Sequence, residues 1–203
     1  MKEEFSIDNF QEQENISPPY IENFKYISKT FTNYYEYLEV KKCYFKKCDF
    51  QDATFQGIDI DDSIFENCNL SNQELIERSY NRTIFKSCNL IGINFCDSCL
   101  DNITFENCNL TYSNFSSTKI KKVIFKNCNL TASSFNDVKW KDLEFIECDI
   151  SETEFQRTSL KNLDIRSCNI GNLKVDITKL RGLIVNPEQA LSISTILGLN
   201  IKY

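Results

Sequence analysis

The chain has 203 residues, a formal net charge of −6, 41% hydrophobic residues and no histidine. That length suits one domain or one elongated array, and the acidic balance argues against direct nucleic-acid binding. Zero His removes Ser–His and Cys–His nucleophilic pairs and the commonest metal ligand, so neither an enzyme nor a metal or cofactor site is expected.

The opening residues, MKEEFSIDNF, are polar and acidic, without the apolar stretch of a secretory signal. No apolar run approaches the roughly 18 residues that a membrane helix needs. The expected location is therefore cytoplasmic, with no membrane partner. Residues 1–37 carry most of the net negative charge. Within them, Pro18-Pro19 opens a stretch bearing Ile21, Phe24, Ile27, Phe31, Tyr34 and Tyr35. These groups could cover the open bottom of a repeat array, so the segment is read as an acidic cap.

Residues 38–185 repeat. From Phe45 onward nearly every fifth residue is large and apolar: Phe45, Phe50, Phe55, Ile60, Phe65, Leu70, and so on to Val185. A helix needs a period near 3.6 and a strand a period of 2. Five is neither, so the chain must turn a corner every five residues. Two residues before each centre stands a small or β-branched residue, such as Ala53, Ser63, Thr83, Ser98, Ser113 or Val123. Just before the centre there is often Asn or Asp, whose short side chain bonds to nearby backbone in tight turns.

A longer period overlies the first. Cys48, Cys68, Cys88, Cys108, Cys128, Cys148 and Cys168 recur every 20 residues, so four pentapeptides make one coil. Coils stacked at the strand spacing of about 4.8 Å put these seven thiols in one internal column. They are read as buried packing groups, not disulfides or a metal site. Asn69, Asn89, Asn109 and Asn129 should form a ladder beside them.

These units and the fourfold register resemble the pentapeptide-repeat family. The resemblance implies an all-β fold: a right-handed quadrilateral parallel β-helix, here of about seven 20-residue coils. It implies a filled centre with no substrate cleft.

One coil strains the rule. Gln73 and Arg78 stand where small inward residues belong. A buried Arg needs a partner, so the backbone is expected to bulge and let Arg78 reach solvent. The alternative is a loop that projects toward a partner. Further on, Cys96-Asp97-Ser98-Cys99 is a lone Cys-x-x-Cys with neither a second pair nor a His, which predicts two outward thiols at a corner and no redox or zinc site.

Outward positions flanking later centres are basic: Lys119, Lys121, Lys122, Lys139, Lys141, Lys161, Lys179 and Arg181. Lower on the same side lie Asp59, Asp61, Asp62 and Asp101. That face is expected to be a dipole, positive toward the C-terminal end.

Residues 186–203 end the chain. Asn186, Pro187 and Glu188 read as N-cap, first helical position and first-turn acid. Ala190, Ile193, Ile196 and Leu197 fall along one helical stripe, Gly198 is a C-cap, and 199–203 could be a short strand. Leu163-Asp164-Ile165-Arg166, Leu180-Arg181-Gly182-Leu183 and the following residues are similar to the ends of quinolone-resistance (Qnr-type) members. That similarity implies a cap that builds a homodimer, and a DNA-mimicking binder of DNA gyrase or topoisomerase IV. The near-neutral repeat body supports instead a non-catalytic scaffold or protein-binding module with an unidentified partner.

Overall fold

A computed structural model of the protein describes Ile7, residues 10–199 and Lys202. The chain winds as a parallel β-solenoid of about eight turns with one C-terminal helix. Strands pair with the equivalent residues one coil away: Tyr34–Lys41 with Thr54–Asp61, Cys99–Glu106 with Lys119–Lys126, and Lys119–Lys126 with Lys139–Ile146, each at an offset of 20.

The corner is built by division of labour. Where Asn or Asp stands before a centre, its side chain commonly accepts a backbone N–H two residues on, as Asp49 Oδ1 does from Gln51 and Asn69 Oδ1 from Ser71. The left-handed backbone falls two residues after the centre, at Asn67, Ser87, Asn107, Lys122 and Asn127 (φ 51–54°). Asn and Asp tolerate that region best, yet Lys and Ser also occupy it. The stacked ladder bonds of every neighbouring coil hold them there.

Side chains fill the centre. Tyr26, Phe45, Phe65, Phe85, Phe105, Phe125 and Phe145 stack ring on ring, with centroids 4.7–5.2 Å apart and planes within 16°. A second column of Phe95, Phe115, Phe135 and Phe155 meets the first edge to face, as at Phe115 and Phe125 (5.5 Å, 82°). Both arrangements suit the ring quadrupole.

The winding starts earlier than the count of five suggests. Strand Tyr20–Glu22 pairs with Glu39–Lys41 and strand Phe24–Ile27 with Tyr44–Lys46, at an offset of 19. Ile16, Ile21, Tyr26 and Phe31 are buried centres, followed by Tyr35. One residue fewer between Phe31 and Tyr35 breaks the period, which is why residues 16–37 read as an irregular cap although they form a coil.

The seven recurrent thiols are buried and free. Each donates to the carbonyl of the coil below: Cys68 Sγ to Phe45 O at 3.4 Å, Cys108 to Phe85 O at 3.3 Å and Cys148 to Phe125 O at 3.3 Å. Cys43 does the same on the adjoining face, reaching Ile21 O at 3.7 Å. Beside them the amide ladder runs from Asp49 to Asn169, with Asn89 Nδ2 on Asn69 Oδ1 at 3.0 Å.

Burial pushes the thiols of Cys43 and Cys168 up to about 11. Cys88, between Cys108 and Cys68, is raised by hydrogen bonding to both and by burial. Groups raised on folding stabilise fully below their unfolded pKa near 9.0 and lose that contribution as pH climbs toward 11. The melting temperature should therefore fall between pH 9 and 11. Native labelling at pH 8 should modify only Cys96 and Cys99, the two cysteines that are not buried. Rapid modification of all ten would contradict a closed interior.

Candidate functional site

The outer wall has two places where the ladder opens. The first is the irregular coil. Strand Thr54–Asp61 pairs downward over its whole length, but upward only at Ile60 and Asp61. In the next coil up, Leu75 and Glu77 donate to the Asn94 and Cys96 carbonyls. Among the described residues no such bond joins Phe55 and Gly57 to Glu74 and Ile76.

Side chains close the gap at its ends. Gln73 is buried and its Nε2 donates to Phe50 O at 2.8 Å and Ala53 O at 3.1 Å. Ser79 N–H is accepted by Asp59 Oδ1 at 2.9 Å. Between these bridges lies an opening of about 490 Å³, lined by Gln56, Gly57, Glu74, Ile76 and Arg78 among others. Two departures from the repeat coincide here: Gln73 fills a slot that holds Ala53 one coil below, and Leu75 interrupts the ring column between Phe55 and Phe95. Arg78 is half-buried, pairs with no carboxylate among the described residues, and its guanidinium lies 5.5 Å over the Tyr37 ring.

Arg78 explains Gly57. A Cβ there would stand 2.3 Å from Arg78 Nη2, and φ is +87°. Gly57→Ala should cost about 1–2 kcal/mol from the left-handed backbone alone. Adding Arg78→Ser should relieve only the steric share in a double-mutant cycle of chemical denaturation. Full rescue would show that φ carries no strain.

The second opening, of about 630 Å³, was not foreseen from the sequence. It separates Leu143–Ile146 from Asn162–Ser167. Here Trp140 Nε1 donates to Ser159 O at 2.7 Å and Glu147 N–H to Ser167 Oγ at 3.1 Å. The indole stays half-buried where other coils bury a Phe, Leu or Ile centre. A single Trp among Phe, Leu and Ile centres was the available signal.

Around these openings the surface charges obey a rule. Seven of the ten ion pairs among the described residues bridge positions exactly one coil apart, as do Lys46–Glu66 at 3.5 Å, Arg82–Asp62 at 2.5 Å, Lys126–Glu106 at 3.2 Å and Lys174–Glu154 at 2.9 Å. The acidic end of the expected dipole is largely neutralised this way, since Arg82 holds Asp61 and Asp62, and Lys121 holds Asp101 at 2.7 Å. The basic end is different. Lys119 lies opposite Lys139, and Lys121 opposite Lys141. Lys119, Lys122, Lys139, Lys141, Lys161 and Arg181 are exposed, Lys179 is half-buried, and none of these seven makes an ion pair among the described residues.

The C-terminal helix spans Pro187–Ile196, with Asn186 as N-cap in a capping box with Gln189. Ile193 is buried and Ile196 half-buried, but Ala190 and Leu197 are exposed. Gln189 takes the inward place, because its Nε2 donates to Ile165 O at 2.7 Å and Cys168 O at 2.8 Å, closing the open edge of the last coil. Beside it Leu180, Leu183, Val185, Ala190, Ile193 and Leu197 line a hollow of about 180 Å³. The strand expected at 199–203 falls largely outside the described residues.

The chain matches the family model described as pentapeptide repeat region over residues 38–115, 79–155 and 118–186. No curated protein sequence matches it. Among solved structures it superposes on two trypsin-treated forms of QnrB1, described as a plasmid-mediated fluoroquinolone resistance protein. One gives a TM-score of 0.55 at 22% identity, covering 89% of this chain and 90% of that one. The other gives 0.50 at 24% identity, covering 91% and 90%. HetL, a pentapeptide repeat protein from the cyanobacterium Nostoc involved in heterocyst differentiation regulation, matches at 0.36 and 13% identity over 85% of this chain and 89% of its own. At these identities the likeness is one of fold.

Proposed function

This chain belongs to the pentapeptide-repeat family, and from that premise we propose that it is a non-catalytic β-helical scaffold that binds a protein partner on its outer faces. The observation that carries the reading is the filled interior: rings and thiols occupy the axis from Tyr26 to Cys168. Recognition is left to the wall. Ten unpaired cysteines fit a reducing compartment, so we place the protein in the cytoplasm. No helix of the described residues is long and apolar enough to cross a membrane. Photo-crosslinkers at outward positions on each face test the proposal. A specific protein adduct from at least one face supports it, and none from any face overturns it.

The likeness to QnrB1 over 89% of the chain favours a second reading, binding of DNA gyrase or topoisomerase IV with protection from quinolones. The lysine columns, unpaired among the described residues except at Lys121, weigh against it, because a DNA mimic needs a continuous acidic surface. Supercoiling by gyrase under quinolone, with and without the chain, decides the matter: restored supercoiling supports this reading and unchanged inhibition refutes it. A homodimer through the C-terminal helix belongs to the same likeness. The exposed Leu191, Leu197 and Leu199 would supply its contact, and a monomer in sedimentation would refute it.

A further inference from the structure

The lysine face departs from a charge rule kept over much of the molecule, and does so over more coils than the acidic pair Glu39 and Asp59. Seven ion pairs join residues 20 apart, among them Lys42–Glu22, Arg157–Asp137 and Lys174–Glu154. Stacked opposite charges stabilise neighbouring strands and like charges oppose them. Yet Lys119 lies over Lys139 and Lys121 over Lys141, Lys161 and Arg181 continue the second series at the same 20-residue spacing, and Lys179 resumes the first beyond Ser159. Local rules broken without local compensation concentrate at functional sites. Trp140, the sole Trp, sits half-buried between Lys139 and Lys141, and tryptophan is enriched where binding energy concentrates.

We propose that these columns dock an acidic α-helical segment of a partner protein, lying along the solenoid axis. This rests on the scaffold reading and names its partner chemistry. Cations on the paired strands, Lys119 with Lys139 and Lys121 with Lys141, recur at the coil spacing of about 4.8 Å. Carboxylates on one face of a helix recur about once per 5.4 Å turn, a mismatch that flexible lysines absorb. Same-face residues of an extended chain recur at about 6.7 Å and drift out of step within the stack. The track is short, about 14 Å over four coils. It ends toward the N-terminus at Asp101, and the whole chain is acidic. A short acidic segment fits inside those limits, whereas a nucleic acid would run on into repulsion.

Trp140 supplies the readout. The probe is a synthetic helical peptide bearing four glutamates on one face, titrated against the full chain at low salt. It should change Trp140 fluorescence saturably, with binding that weakens as salt rises. Replacing Lys119, Lys121, Lys139 and Lys141 together with Ser should weaken it on the order of tenfold or more, with the melting temperature kept or raised. Lys161→Ser with Arg181→Ser, which leaves the longest strands untouched, should weaken it in the same direction. No binding to the wild type overturns the proposal, as does equal binding of a same-composition peptide with its glutamates scattered around the helix. Tighter binding of a single-stranded oligonucleotide overturns it too. If protein adducts still form on other faces in that event, the scaffold reading survives the loss of this site.

Discussion

Phe105→Ala is expected to destabilise the protein by about 3–5 kcal/mol, the range for deleting a fully buried ring. Phe105 is 0% exposed and stacks between Phe85 at 5.1 Å and Phe125 at 4.8 Å. In a solenoid each coil contacts only its neighbours, so no distant element can collapse into the void. The gap also separates two stacks that otherwise hold each other in register. Urea denaturation followed through Trp140 measures the loss. Cys108→Ala, in the same coil, is the internal control and should cost about 1 kcal/mol, because it removes one small packing group and a weak donor. Equal costs for the two would mean that ring stacking is not what binds coil to coil.

Truncation before Asn186 should have the next largest effect. The C-terminal helix covers Ile165 and Cys168, and Gln189 satisfies both of their carbonyls. Without it the last coil exposes unpaired acceptors and the apolar groups Leu180, Leu183 and Val185, an open template for further strands. The expected result is concentration-dependent light scattering by the truncated chain. Gln189→Leu removes half of the capping box and leaves the buried Cys168 carbonyl unpaired, while the Ile165 carbonyl keeps the Cys168 N–H; the orphaned acceptor should cost about 1–3 kcal/mol. A truncated chain that stays dispersed and melts as the intact protein does would show that the helix caps nothing.

Gln189 and Gln73 solve the same problem. Each extends a carboxamide over two carbonyls of the preceding coil where the backbone ladder fails. The sequence marks Gln73 as irregular because it displaces a small residue. It gives no such mark for Gln189, because any helical stripe drawn through Ala190 and Ile193 looks equally apolar. Period five and the thiol spacing made the coils legible, since every coil states the same rule again. What escaped was whatever depends on a single residue against its neighbours: the one-residue contraction between Phe31 and Tyr35, the half-burial of Trp140, and the capture of Asp61 and Asp62 by Arg82. Charges could be assigned to faces from spacing alone. Whether each found a partner required coordinates.

The central claim is that the wall recognises and the interior only supports. Parallel titration of the glutamate-faced helical peptide against three proteins tests it most directly: the wild type, Cys108→Ala and the fourfold Lys119, Lys121, Lys139, Lys141→Ser variant. The account predicts that Cys108→Ala binds as the wild type does although it melts lower, while the lysine variant loses binding although it melts no lower. Binding that follows stability across the three, or survives in the lysine variant, would contradict it.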